Sequence, residues 1–173
     1  PEWKAGFDRL ALLLIEALRG SGLPLVFSHG DYSIDNVLMS GRPPRVTGVI
    51  DWDLAAQNGL PLLDFLYFLA TATRKAQRVG IGRVFSQTIF PMRFDPLARE
   101  ALHRYCRVLD IPRRLLAPLA VVTWLHHAGL RLDNPERYRY SPDAAESAGD
   151  AFPAALDLLE NASAGTRARS ATA

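Results

Sequence analysis

Apolar residues recur along the chain with two different spacings, and the spacing separates helices from strands. Over residues 3–19 the apolar positions fall three or four residues apart, which is typical of one helix face, and Gly20 and Gly22 then end the segment. Short apolar runs bounded by turn residues come next, and such runs predict strands. The predicted strands are residues 25–27, 37–39 and 46–50.

The remainder of the chain has mainly helical spacing. It predicts a class that is α+β but mostly helical. Pro112 falls in the first turn of its helix, where proline is tolerated, and Pro118 predicts a kink. The predicted helices are about 62–78, 96–109, 112–132 and 143–160, with a looser stretch at 80–95.

Polar residues collect at the ends of the predicted strands. Asp31 and Asn36 lie five residues apart between the first and second strands, and Asp51 directly follows the third. A glycine and two prolines at 41–44 predict a turn that folds the second strand back onto the third. We therefore expect this hairpin to return Asp51 to the neighbourhood of Asp31.

These three side chains match the needs of phosphoryl transfer from a nucleotide. That reaction requires a carboxylate near the proton of the acceptor hydroxyl, and oxygen ligands for the Mg²⁺ that bridges the phosphates. Mg²⁺ keeps several of its waters, so one carboxylate and one amide from the protein are enough. Asp31, Asn36 and Asp51 supply this set.

Three motifs follow one another along the chain. They are His29-Gly30-Asp31 with Asn36, then Ile50-Asp51-Trp52-Asp53, then Gly59-Leu60-Pro61-Leu62-Leu63-Asp64-Phe65. Single motifs of this kind are weak signals, whereas the ordered combination is specific. This combination resembles the core of the aminoglycoside phosphotransferase and choline kinase group, whose members share the protein-kinase-like fold.

This resemblance implies a role for each matching residue. Asp31 would be the catalytic base, Asn36 a magnesium ligand, and Asp51 the main magnesium ligand, with ATP or GTP as the second cofactor. Asp53 would be a secondary metal or water contact. Asp64 would cap the following helix and support the loop, and we interpret His29 as a packed, hydrogen-bonded brace.

The resemblance also implies an incomplete cleft. Residues 1–160 resemble the C-terminal lobe of a kinase-like fold, in which a small β-hairpin carries the catalytic loop. No glycine-rich loop with a strand lysine precedes His29, so we expect the N-terminal nucleotide-binding lobe to be a partner absent from this chain. Residues 161–173 have no core-forming pattern and predict a disordered tail.

Composition narrows the setting. Hydrophobic residues make up 49% of the 173 residues, which is ample for a core. No apolar run is long enough for a membrane span, and Cys106 stands alone, so we expect a cytoplasmic protein with a packed thiol. Aromatic residues are not interleaved with the basic ones, which disfavours nucleic acid as a partner.

The acceptor remains open, and charge is the one clue to it. Residues 74–139 hold 13 Lys and Arg against 5 Asp and Glu, a local net of 13 − 5 = +8. Around an acceptor pocket this charge would favour a neutral or anionic small molecule with a hydroxyl, although a solvated arginine face is the simpler explanation.

Two other function classes remain as alternatives. One is a non-catalytic, kinase-like binding or scaffold module that keeps the motifs. The other is a two-metal phosphoesterase using His29, Asp31, Asp51 and Asp53, which the small number of histidines disfavours. His103, His126 and His127 lie on predicted helices far along the chain, and we expect them to serve packing or to face solvent.

Overall fold

A computed structural model gives the fold, and it describes residues 2–133 and 143–170. Helices hold most of these residues, as the sequence predicts. The helices are α1 (Glu2–Leu18), α2 (Leu63–Gln77), α3 (Ile81–Val84), α4 (Pro96–Val108), α5 (Leu116–Asp133) and α6 (Asp143–Ser170). The strands are β1 (Val26–Ser28), β2 (Val37–Ser40), β3 (Arg45–Val49) and β4 (Ala56–Gly59).

The core lies between the helices. α2 packs on α5, and α6 packs on α1, α3 and α5. Leucines, alanines and aromatic rings fill this space because each helix turns one apolar stripe inward. The most deeply buried members include Leu13, Leu66, Phe85, Leu119, Trp124, Ala155 and Leu159.

The strands form two small antiparallel sheets instead of one continuous sheet. β2 pairs with β3 as the predicted hairpin, with Val37 opposite Val49. β1 pairs with β4, and this fourth strand was not predicted. β4 reads Ala-Gln-Asn-Gly, so it lacks the apolar alternation by which a strand is recognised.

Three helical details differ from the sequence predictions. The stretch at 80–95 is not loose, because α3 is followed by a π-helical turn at Phe85–Ile89 whose Phe85 and Ile89 are buried. α5 begins at Leu116, after a 3-10 turn at Arg113–Leu115, and not at Pro112 as the spacing predicts. Pro118 therefore lies in the first turn of α5, where its missing N–H is not needed by the helix. A kink is therefore not required to accommodate it.

The last helix is longer than predicted. α6 runs to Ser170, whereas the sequence predicts a helix end near 160 and a disordered tail from 161. Extending an existing helix needs no new nucleus, and Ala162 and Ala164 are strong helix formers, so the absence of core residues did not end the helix. Residues 171–173 of that tail lie outside the described residues.

Candidate active site

The carboxylate of Asp64 clamps the start of the loop at residues 29–36. Asp64, in the first turn of α2, accepts the backbone N–H of His29 at 2.6 Å and that of Gly30 at 3.0 Å. Gly30 has φ +84°, and a Cβ at this position would collide with the carbonyl of Leu54. Only glycine fits here, which explains the middle residue of the first motif.

Asp64 does not cap its helix in the way the sequence suggested. Leu62 occupies the N-cap position with φ +70°, and its own side chain makes no capping hydrogen bond. The phenolic oxygen of Tyr105 instead accepts the N–H of Leu62 at 3.3 Å. The carboxylate of Asp64 is thus directed at the 29–36 loop.

The side chain of His29 joins the two halves of the site. It is 3% exposed, its Nδ1 accepts the backbone N–H of Asp31 at 3.3 Å, and its Nε2 lies 2.9 Å from the carbonyl of Ile50. A carbonyl only accepts, so Nε2 carries the proton and Nδ1 is the acceptor. His29 is packed and hydrogen-bonded, and it lies 4.5 Å from the ring of Trp52, centroid to centroid.

Asn36 makes a second connection across the loop. Its Nδ2 donates to the backbone carbonyl of Asp31 at 2.8 Å, and the backbone carbonyl of Asn36 accepts the N–H of Ile50 at 3.0 Å. Ile50 therefore bonds to both ends of the loop, through its N–H to Asn36 and through its carbonyl to His29. The backbone before Asp51 thus returns to the loop that holds Asp31, as the predicted hairpin requires. Because Nδ2 of Asn36 makes the hydrogen bond to Asp31, Oδ1 of the same amide points away from that carbonyl.

Asp51 has a backbone conformation that few residues adopt. Its φ is +64°, in the left-handed region, which aspartate tolerates better than most side chains. Such conformations cluster at functional sites. Asp53 is exposed and lies in the turn that the hydrogen bond from the N–H of Ala55 to the carbonyl of Trp52 closes.

The oxygen donors present suit a hard cation. Asp51 offers a carboxylate and Asn36 an amide oxygen, which together match the protein contribution that Mg²⁺ needs. Within residues 2–133 and 143–170, no group of three or more His, Cys, Asp or Glu side chains is arranged to hold a metal. Both nitrogens of His29 are engaged by the protein, which disfavours the phosphoesterase assignment.

Asp35 has a partner that sequence reasoning missed. Its carboxylate forms an exposed ion pair with Lys75 near the end of α2. The negative charge of Asp35 beside the predicted metal site is therefore partly balanced. Lys75 lies eleven residues beyond Asp64, and this spacing places both on one face of a helix.

Two histidines of α5 have different environments. His127 is buried and stacks on Tyr67, with ring centroids 3.3 Å apart, so its predicted packing role is confirmed. His126 is half-buried, and its Nε2 lies 3.3 Å from the carbonyl of Gly30, next to Asp31. Only its adjacency to His127 drew attention in the sequence, and no local pattern signals this long-range contact.

Two titratable groups near the core have altered acidities. Burial raises the pKa of the Cys106 thiol, in keeping with the packed role expected for it. Burial also raises the pKa of Tyr105, although the N–H of Leu62 acts in the opposite direction.

Within the described part of the chain, no helix is both long and apolar enough to cross a membrane.

Comparison with known proteins identifies the family. The model of the phosphotransferase enzyme family matches residues 1–105, a stretch that holds α1, all four strands, α2, α3 and most of α4. The chain belongs to this family. Every residue of the three motifs falls inside the matched range.

A curated relative extends the comparison to a much longer protein. Over 128 residues, the chain is 30% identical to the acyl-CoA dehydrogenase family member 11 of Gallus gallus. The aligned part is 69% of this chain but only 15% of that relative, so the chain spans a small share of its length. No solved structure matches the chain.

Proposed function

We propose that the chain is the catalytic lobe of an ATP- or GTP-dependent and Mg²⁺-dependent phosphotransferase that acts on a hydroxyl of a small molecule. The observation that carries this proposal is the hydrogen-bonding of His29, which links the backbone of Asp31 to the carbonyl before Asp51. Family membership supports the reaction class.

Each residue has a distinct task in this proposal. Asp31 would accept or orient the proton of the acceptor hydroxyl, and Asn36 and Asp51 would hold the cation. A bound Mg²⁺ supplies charge stabilisation for the phosphates. His29 and Asp64 hold the loop, because much of the rate in this chemistry comes from positioning.

A nucleotide-binding lobe is the proposed partner. Large apolar side chains are exposed on the strand side of the chain, among them Phe27 at 63% and Trp52 at 46%, whose rings lie 5.8 Å apart. Contiguous exposed apolar surface of this kind commonly marks an interaction site. Other exposed members are Leu25, Leu38, Met39, Val46 and Ile50.

The decisive test compares two aspartate variants in a protein that carries both lobes. Asp31→Asn should lower kcat by roughly 10²- to 10⁴-fold with nucleotide binding retained, because the fold keeps its loop but loses the base. Asp51→Ala should instead abolish Mg²⁺-dependent nucleotide binding, measured by calorimetry.

A matched control is Asp110→Asn. Asp110 is exposed, lies between α4 and α5 and has a positive φ that asparagine also tolerates, so this variant should resemble the parent. If both site variants kept parental turnover, the role assignment would be wrong. A parent that binds no nucleotide and phosphorylates no acceptor would favour the scaffold module.

A second experiment tests the partner lobe. Residues 1–173 alone should fold yet show negligible phosphotransfer, since the phosphates would be held from one side only. Adding the nucleotide-binding lobe as a separate polypeptide should restore activity, and Phe27→Ser should weaken that restoration. Full activity of the isolated chain, lost with Asp31→Asn, would exclude a required partner lobe.

A further inference from the structure

Two histidines bind the two polar groups of the Gly30–Asp31 peptide, its carbonyl and its N–H. Its carbonyl lies 3.3 Å from Nε2 of His126, and its N–H donates to Nδ1 of His29 at 3.3 Å. Because the carbonyl only accepts, Nε2 of His126 must carry a proton and donate. The two contacts come from residues 97 positions apart in the chain.

One peptide plane is thereby fixed by two hydrogen bonds. The carbonyl of residue 30 and the N–H of residue 31 belong to the same planar unit, so neither can turn without the other. Gly30 is the residue with the greatest backbone freedom, and its φ of +84° is not enforced by a side chain of its own. Hydrogen bonds from neighbouring elements must therefore supply the restraint.

This plane leads directly into Asp31. A rotation of the peptide would swing the Cα–Cβ bond of Asp31 and displace its carboxylate relative to the backbone before Asp51. Asp64 fixes the preceding N–H of Gly30, and His29 fixes the following N–H of Asp31. The carbonyl between them depends on His126, the one donor to it among the described residues.

We propose that His126 is a positioning residue, which holds the Gly30 carbonyl and so sets the direction of the Asp31 carboxylate. This role rests on the proposed function, because it assigns His126 to the catalytic geometry of that same site. It also connects α5 to the 29–36 loop, although α5 supplies none of the three motifs. His126 itself touches neither the acceptor nor the nucleotide in this role.

The test uses two variants that differ in their ability to donate. His126→Gln places an amide N–H near the position of Nε2, whereas His126→Leu keeps similar bulk without a donor. In the two-lobe protein we expect His126→Leu to lower kcat by roughly 10- to 100-fold at nearly constant KM, since misplacing a reactive group costs rate more than binding. His126→Gln should recover most of that loss.

His103→Leu and His103→Gln are the matched controls. His103 is exposed on α4, and both substitutions should leave kcat within about two-fold of the parent. If His126→Leu and His126→Gln lost kcat equally, the positioning role would be overturned, because the enzyme would then require the imidazole itself and not merely a hydrogen-bond donor. An unchanged kcat in His126→Leu would overturn it as well.

Amide hydrogen exchange separates this inference from the proposed function. In His126→Leu the N–H of Asp31 should exchange about 3- to 10-fold faster than in the parent, because the peptide loses one of its two restraints. Unchanged exchange overturns the inference whether or not the parent is active. Faster exchange in a protein without any phosphotransferase activity would support the restraint and reject the proposed function.

Discussion

Thr71 accepts the backbone N–H of Ile34 at 3.1 Å, and Thr71 is one of four side chains on a single face of α2 that contact the 29–36 loop. From the start of α2 onward, the four side chains meet successive parts of the loop. Asp64 binds the N–H groups of residues 29 and 30, Phe68 stacks on Tyr32 at 5.2 Å, Thr71 binds Ile34, and Lys75 pairs with Asp35.

The four positions follow helical periodicity, at intervals of four, three and four residues. The loop therefore runs along α2 in the same direction as the helix, and each turn fixes one more part of it. A rigid helix is a better support than another loop for residues that must keep their geometry. α2 thus links the buried core to the candidate site.

The hydroxyl of Thr71 should be needed for this support. Thr71→Val keeps the shape but leaves the half-buried N–H of Ile34 without its acceptor, so we expect a loss of about 1–2 kcal/mol in the free energy of unfolding. Thr71→Ser should retain most of it. Urea denaturation measures the difference, and Thr73→Val, a half-buried threonine in the same helix, is the control. Similar losses at both positions would mean that the contact has no special weight.

Asp64 should matter more, because one carboxylate serves two N–H groups. In Asp64→Asn the amide oxygen can accept one of them, while the NH₂ group faces the other donor. We expect a loss of about 2–3 kcal/mol in unfolding free energy, since hydrogen bonds to a charged acceptor are the stronger kind.

Asp110→Asn makes the same chemical change at an exposed site and should stay within about 0.5 kcal/mol of the parent. Faster amide exchange at Gly30 should accompany the loss in Asp64→Asn. A stable variant with unchanged exchange would show that the clamp contributes little.

The hairpin and the site motifs were accessible from the sequence because their signals are local. Short apolar runs on either side of the turn at 41–44 predicted the β2–β3 pair, and the motifs placed Asp31 in the loop before this pair and Asp51 shortly after it. His29 was predicted to be packed because a second base so near Asp31 would be redundant, and it is buried. Each of these inferences needed only neighbouring residues.

The features missed around the site depend on partners distant in the chain. β4 is polar and forms only against β1, so its own composition gives no strand signal. His126 meets Gly30 across 96 residues, and periodicity assigns it to a helix face without naming what the face contacts. The pairing of Asp35 with Lys75 was hidden for the same reason.

Tyr105 predicts a specific dependence of stability on pH. Burial raises its pKa in the folded chain, so the corresponding stabilisation is complete below the unfolded pKa of about 10 and is lost as pH rises through the higher folded value. Tyr105→Phe should remove this decline above pH 10.

The same variant should cost about 1 kcal/mol at pH 8, because the N–H of Leu62 loses its acceptor. The free energy of unfolding, measured from pH 8 to 11 for parent and variant, gives both effects. Tyr32→Phe removes a hydroxyl elsewhere and should leave the decline intact. If the free energy of unfolding of the parent and of Tyr105→Phe fell equally as the pH rises, the decline could not be assigned to Tyr105.

The basic character of the helical half leads to a prediction about the acceptor. The described side chains include exposed arginines on and after α4 that are not balanced by equally many acids; they are Arg99, Arg104, Arg107, Arg113 and Arg114. Part of the +8 stretch, residues 134–139, lies outside the described residues. Repulsion is screened beyond about 8–10 Å, so only arginines lining the acceptor pocket would matter, at about 1 kcal/mol each.

We expect the two-lobe protein to prefer a neutral or anionic hydroxyl compound, such as a sugar or sugar derivative, over a polycation. The measurement is kcat/KM for a panel of a kanamycin-like aminoglycoside, choline, homoserine and simple sugars. If charge decides the preference, raising the salt from about 0.05 to 0.5 M should narrow the gap between sugar and polycation, because screening weakens the repulsion. Highest turnover with the polycation, or a gap insensitive to salt, would reject the charge explanation while leaving the phosphotransferase proposal intact.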